Sequence, residues 1–262
     1  MALVTFEEVE KTFVKDRSSS YAAVKGFKLE IDDREFFCLL GPTGCGKTTV
    51  LNMLAGFERP TGGVIELAGT PVAGPGRDRA VVFQGDDSLY AWLTARENIE
   101  FGPRARGMPA KERRELADYY LNLVGLRGQG DKHPHELSGG MKQRIQIARV
   151  LANEPRMLLM DEPFGALDAQ TRLVMQRELT KIWQSTHTAV LFITHDIDEA
   201  ILLGDRIGVM RAGPESNLKA IVEVRMEGIH DRNHPRFIEY YRQVHAIIEE
   251  EVNKTLSREG AE

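Results

Sequence analysis

Three short runs in this sequence carry residues whose types and spacing suit phosphate chemistry. Gly41-Pro42-Thr43-Gly44-Cys45-Gly46-Lys47-Thr48 fits the pattern G-x-x-x-x-G-K-S/T. Its glycines allow successive backbone N–H groups to turn inward as an anion nest, and the helical-looking run from Thr49 to Ala55 adds the positive end of a helix. Lys47 then reaches β- and γ-phosphates, and the Thr48 hydroxyl ligates Mg²⁺. The second run, Met157-Leu158-Leu159-Met160-Asp161-Glu162, sets two carboxylates at the end of an apolar strand, Asp161 on the metal side and Glu162 as general base. Alone, Asp-Glu after a strand is also an ordinary helix start; a phosphate loop in the same chain favours the chemical reading.

The third run is Leu137-Ser138-Gly139-Gly140-Met141, ahead of a helical stretch with Met141, Ile145, Ala148 and Ala152 on one face. Ser138 fits a plain N-cap, and the two glycines also leave backbone N–H groups open to an anion. The chain therefore carries two half-sites for phosphate, and one nucleotide does not obviously use both.

Parallel strands must bring such residues together. Phe36 to Leu40 ends before Gly41, Met157 to Met160 before Asp161, and Ala189 to Thr194 before His195. Their near-continuous apolarity predicts buried parallel strands, and in open α/β sheets ligands bind beyond the carboxyl ends of such strands. Leu3 to Val9 and Phe27 to Ile31 alternate as an antiparallel edge would, and Gly62 to Leu67 reads as strand and turn. From Thr94 to about Val124 the pattern is helical, with Leu116, Tyr119, Tyr120 and Leu123 as its apolar positions. The spacing of Phe237, Tyr240, Tyr241, Val244, Ile247 and Ile248 predicts an amphipathic helix over 234–252.

Composition narrows the class. The chain has 262 residues, 42% apolar and 28% charged, with a net charge of −5 and no basic block, which argues against nucleic acid as a partner. No run approaches the roughly 20 apolar residues of a membrane span, and Met1 to Glu10 lacks the features of a signal peptide, so a cytoplasmic location is expected. Cys38 and Cys45 read as free thiols, and Cys45 is expected to be open to alkylation, with ATP protecting it. Six of the seven histidines, His133, His135 and His230 among them, read as solvated loop residues without a role.

On these motifs, with Leu137 to Met141 as the signature, nearly the whole chain resembles the ATP-binding cassette (ABC) family. The resemblance implies an α/β P-loop NTPase cassette with a mainly parallel core sheet, an antiparallel β subdomain and an inserted helical subdomain. The ATPase domain would span 1–225, with the helical insertion at about 87–137 and a helical extension at 226–262. It implies an ATPase that uses ATP and Mg²⁺, dimerises head to tail, and encloses each ATP between Gly41 to Thr49 of one copy and Ser138-Gly139-Gly140 of the other. Gln84, in Val81-Val82-Phe83-Gln84, would touch Mg²⁺ and the attacking water, so that Thr48, Gln84 and Asp161 form the metal side. His195 would contact the γ-phosphate, and Ala166-Leu167-Asp168 would cross the dimer interface. Phe13 would stack on adenine, with Tyr21 as the second candidate and core packing as the plain alternative.

Gly74-Pro75-Gly76-Arg77-Asp78-Arg79, Asp161 to Asp168 and His234-Pro235-Arg236-Phe237 are similar to the nitrate/sulfonate/taurine importer subgroup. That likeness implies integral membrane permease subunits as partners, an extracytoplasmic solute-binding protein acting indirectly, and a peripheral place on the cytoplasmic membrane face. A soluble ABC ATPase working on nucleic acid or the ribosome is the alternative; such proteins usually have two cassettes or long insertions. A cassette that binds ATP without turnover would not need Glu162 and His195. Two departures stand out: Met141 where Gln is commonest, and Gly85 to Ala91 where the subgroup places a Leu-Pro-Trp-like stretch that receives the membrane subunit.

Overall fold

The structure, a computed structural model, describes residues 2–14, 20–83, 89–165, 167–226 and 231–259, with backbone alone over 254–259. In chain order it forms β1 (Ala2–Val14), β2 (Ser20–Asp32), β3 (Phe36–Leu40), α1 (Lys47–Ala55), β4 (Gly62–Leu67) and β5 (Thr70–Pro71). Next come β6 (Arg79–Val82), α2 (Ala95–Ala105), α3 (Ala110–Leu123), α4 (Gly139–Leu151), β7 (Met157–Asp161) and α5 (Ala169–Thr186). The chain ends with β8 (Ala189–Thr194), α6 (Ile197–Leu203), β9 (Arg206–Met210), β10 (Leu218–Glu223) and α7 (Phe237–Glu259). This is an α/β fold with a mixed sheet, an antiparallel sheet and helices. It divides into two compact units, Met1–Gly76 with Ala189–Glu262, and Arg77–Thr188.

The first unit holds an antiparallel sheet in the order β2-β1-β4-β5. Alternation along β1 turns Val4 and Phe6 inward, and a register shift between Phe6 and Val9 lets Val9 be buried as well; Phe6 meets Phe27 edge to face with centroids 5.3 Å apart. The same unit contains the strand order β10-β9-β3-β8, in which β3 runs parallel to both β8 and β9. All five residues of β3 and all six of β8 are buried, as their unbroken apolarity predicts. Burial of Phe36, Phe37 and Phe192 contributes about 1.5–3 kcal/mol each relative to exposure.

Helix α7 packs on α6, β9 and β10 of this unit. Val244 is fully buried, and the buried Glu251 accepts from the Ala212 N–H at 3.1 Å and pairs with Lys219 at 3.4 Å. The helix predicted here forms, but it carries a buried carboxylate on the face that apolar spacing alone suggested. His245 also lies on it, not in a loop, and stacks on Tyr241 at 5.8 Å.

In the second unit β6 and β7 are parallel, and the helical stretch predicted as one run is two helices. Gly107-Met108-Pro109 separates them, because Pro109 has no N–H to continue a helix and sits as the N-cap of α3. Helix α2 opens with a capping box: Glu97 N–H donates to Thr94 Oγ1 at 3.2 Å and Thr94 N–H donates to Glu97 Oε2 at 2.8 Å. The buried face of α3 is Ala117, Tyr120 and Leu121, whereas Tyr119 is 58% exposed. Packing of α3 against α2 and α4 selects that face, a quarter-turn away from the one apolar count alone picks out.

Candidate functional site

In the first unit the phosphate loop leaves the end of β3 and enters α1. Gly46 is the N-cap of α1 at φ 93°, a left-handed conformation that glycine alone adopts without strain. No side chain caps this helix and its first turn has no acidic residue. By contrast, α5 and α6 start on Asp168 and Asp196, whose carboxylates accept the first-turn N–H groups. The start of α1 thus keeps its N–H groups and its positive dipole end for an anion. Thr43, Gly44 and Thr48 are exposed and Pro42 and Thr49 are half-buried, while Gly41, Cys45 and Lys47 are buried.

The Lys47 ammonium donates to the Gly41 carbonyl at 2.7 Å, the Pro42 carbonyl at 2.9 Å and Cys45 Sγ at 3.8 Å. Its charge is held inside the loop on neutral acceptors that phosphate oxygens would outcompete. Cys45 is only 1% exposed, which overturns the expectation of an accessible thiol. Burial pushes its pKa up, with Lys47 pulling the other way. Cys38 is likewise free and buried.

His195 follows β8. Leu40 and Thr194 are register partners in the parallel pair β3–β8, so Gly41 and His195 leave the sheet on neighbouring strands, whose axes lie about 5 Å apart. His195 is exposed, between two residues that are tied down: Asp196 N–H donates to Thr194 Oγ1 at 3.0 Å, and Thr194 Oγ1 donates to Glu199 Oε2 at 2.6 Å. Phe13 and Tyr21, the two candidates for adenine, sit opposite each other on β1 and β2. Both are exposed, Phe13 by 37%, so simple core packing does not account for either; the Lys11 ammonium lies 4.8 Å from the Phe13 ring centre.

In the second unit Val82 pairs with Met160, so the chain leading to Gln84 and the Asp161-Glu162 pair leave β6 and β7 at the same level. Gln84 itself, with residues 85–88 and Ala166, lies outside the described residues. Asp161 and Glu162 are half-buried. Glu162 has φ 43°, a left-handed backbone that costs a non-glycine residue about 1–2 kcal/mol. The turn is closed by the Gly165 N–H donating to the Glu162 carbonyl at 3.1 Å. Gln143 of α4, buried, donates to the Pro163 carbonyl and so ties the helix that follows Ser138 to the carboxylate turn.

Ser138 is exposed and is the N-cap of α4, its hydroxyl accepting from the Met141 N–H at 3.4 Å. The first turn of α4 also lacks acidic residues, leaving Gly139 and Gly140 N–H groups at a second anion-favouring helix start. Gly140 has a packing reason too: a Cβ there would lie 3.1 Å from Thr171 on α5. Asp168 caps α5 through Gln170 and Thr171 N–H at 3.0 and 3.1 Å and the Thr171 hydroxyl at 2.6 Å. These bonds, the hydroxyl's first, hold its carboxyl below the usual carboxylate range.

Sequence reasoning missed Gln143, Thr194 and Glu199. Their signal is a polar residue inside an otherwise apolar run, which becomes telling only when a partner is seen. It also missed Asn98, fully buried, whose amide fixes the turn after residue 89 by accepting from the Tyr90 N–H at 2.8 Å and donating to the Thr94 carbonyl at 2.9 Å. That turn presents Trp92, 72% exposed, beside Tyr90, whose ring also packs against Phe101.

Residues 24–165 match the family described as ABC transporter. An uncharacterized ABC transporter ATP-binding protein of Methanocaldococcus jannaschii is 47% identical over 89% of this chain and 87% of its own length. The nitrate import ATP-binding protein NrtD of Synechococcus elongatus is 44% identical over 87% of this chain and 83% of its own. The bicarbonate transport ATP-binding protein CmpC of the same species is 46% identical over 89% of this chain, which spans only 36% of that relative's length. Among solved structures, cbiO1 of Clostridium perfringens, part of the transporter complex cbiONQ, superposes with a TM-score of 0.76 at 27% identity, covering 85% of this chain and 88% of its own. A dimeric ATP-binding cassette in a post-hydrolysis state with ADP and Pi gives 0.70 at 30% identity, covering 85% and 99%.

Proposed function

Since the chain belongs to the ABC transporter family, we propose that it is the ATP-hydrolysing subunit of an importer that moves a small anion, with two copies enclosing each ATP. The observation that carries this reading is the uncapped start of α1 beside the exposed His195. A helix N-terminus with inward N–H groups binds the phosphates, and a histidine one strand away is placed to meet the γ-phosphate.

The division of labour follows from the chemistry of each group. The N–H groups of Gly44 to Thr48 and the Lys47 ammonium hold the β- and γ-phosphates, Lys47 exchanging the Gly41 and Pro42 carbonyls for charged oxygens. Phe13 or Tyr21 supplies a face for adenine. Glu162 takes the proton of the attacking water, and its left-handed backbone is the strained, over-determined geometry that a general base tolerates in return for fixed aim. Ser138, Gly139 and Gly140 of the second copy bind the γ-phosphate from the far side, and Asp168 beside them lies in the loop between copies. The Thr48 hydroxyl and the Asp161 carboxylate, with Gln84, are hard oxygen donors of the kind that suit Mg²⁺, which would neutralise charge developing on the phosphate oxygens.

The domain boundaries implied by the resemblance, 1–225 with a helical insertion near 87–137 and an extension over 226–262, accompany this reading. Exposed Trp92 and Phe101, with half-buried Tyr90 in contact with both, form an aromatic surface on which a membrane-spanning subunit would dock. On this reading the membrane passage belongs to that partner; no helix among the described residues is long and apolar enough to cross a membrane. Nitrate and bicarbonate relatives support a small anion as solute, and a peripheral place on the cytoplasmic membrane face accompanies this reading.

Affinity purification of tagged protein from its own cells in mild detergent, with mass spectrometry of what accompanies it, tests the assignment. A multi-spanning subunit that co-purifies and raises ATP turnover when the solute is supplied is the expected result. Soluble partners or nucleic acid alone would overturn the transport role.

A further inference from the structure

The turn after β8 contains a buried polar pair that the reaction as described above does not use. Thr194 and Glu199 are 2% and 5% exposed, at the last position of an apolar strand and inside α6. The Thr194 hydroxyl donates to Glu199 at 2.6 Å and accepts the Asp196 N–H at 3.0 Å. Asp196 in turn accepts the N–H groups of Asp198 and Glu199 at 2.8 and 3.2 Å, and Arg232 pairs with Asp198 at 2.8 Å. A hydroxyl has one proton: with it committed to Glu199, the oxygen lone pairs are left facing the backbone N–H immediately after His195.

We infer that Thr194 and Glu199 form a positioning pair that fixes the backbone on which His195 is presented to the γ-phosphate. Glu199 sets the direction of the Thr194 hydroxyl, the hydroxyl holds Asp196 N–H, and that bond fixes where the imidazole stands relative to the loop leaving β3. The inference rests on the reading of His195 as a γ-phosphate contact. Neither residue touches ATP; both act through His195.

The pair is tested by steady-state ATP hydrolysis of the whole 262-residue chain. Thr194→Val and Glu199→Leu are expected to lower kcat by about 10- to 100-fold, as misplacement of a reacting group does, with KM for ATP essentially unchanged. Glu199→Gln, which keeps an acceptor for the hydroxyl, recovers most of the rate, as does Thr194→Ser. The double variant Thr194→Val with Glu199→Leu removes both buried polar partners and so relieves the folding penalty of the single changes. It is still expected to be slow, because Asp196 N–H has lost its acceptor.

In a His195→Ala background none of these changes lowers kcat further. Wild-type turnover in the double variant, or losses that multiply with that of His195→Ala, would overturn the positioning role and leave a structural one. If His195→Ala itself turns over normally, the γ-phosphate reading of His195 falls and the inference with it.

Discussion

Leu40 and Thr194 face each other in the parallel pair β3–β8, and this one register match sets the phosphate loop and His195 on adjacent strand ends. Leu40 and Thr194 are more than 150 positions apart in sequence, so it is the sheet that brings the segments that follow them together.

Lys47 makes charge-assisted bonds that are worth about 1.5–3 kcal/mol each when the acceptor is ionised. Lys47→Ala is expected to weaken ATP binding by about 10- to 100-fold, read by equilibrium titration with a fluorescent nucleotide. Unchanged affinity would place the triphosphate elsewhere.

Glu162 separates chemistry from stability. Glu162→Gln is expected to lose about 10²- to 10⁴-fold in turnover with ATP binding retained. Glu162→Gly should be as inactive, yet it relieves the φ of 43° and should unfold at the same or slightly higher denaturant concentration than the parent. Active Glu162→Gly would remove the general-base role.

Both thiols are buried and burial raises both their pKa values, that of Cys38 well above the ordinary thiol range. Little thiolate is available at neutral pH. An alkylating reagent should leave Cys38 and Cys45 unmodified in the folded chain under conditions that modify both in urea, as mass spectrometry would show. Rapid labelling of Cys45 would contradict the packed loop.

Asp168 has a folded pKa below its unfolded value, so its cap on α5 stabilises the fold above the unfolded carboxylate pKa and is lost as pH falls through the folded value. Asp168→Asn should therefore be less stable than the parent near neutrality, and the gap should close in acid. The pair compared by denaturant melts at both pH values provides the check.

The loop and the three strands that end at Gly41, Asp161 and His195 were legible because their signals are local. Glycine spacing dictates a nest, and unbroken apolar runs dictate buried parallel strands. The antiparallel partner of β1 was visible in alternation, though β1 and β2 run further than the alternating cores, to Val14 and from Ser20. What sequence could not give is choice among equals. Tyr119 and Tyr120 are neighbours, and only packing on α2 and α4 decides that Tyr120 goes inside. Cys45 and Thr48 lie in one short motif, and only the fold buries the thiol against Lys47 and leaves Thr48, in the first turn of α1, exposed. Gln143, Thr194 and Glu199 are polar residues whose partners lie up to 20 positions away, so their roles emerge from contacts rather than from composition.

The most direct test of the central claim is the oligomeric state of Glu162→Gln, by analytical ultracentrifugation with and without Mg²⁺ and ATP. On the proposed reading, Gly41 to Thr48 of one copy and Ser138 to Gly140 of a second enclose each ATP. A monomer without nucleotide, a dimer with it, and a return to monomer when Ser138→Arg is added are the expected results. A Glu162→Gln chain that binds ATP and stays monomeric would contradict that reading.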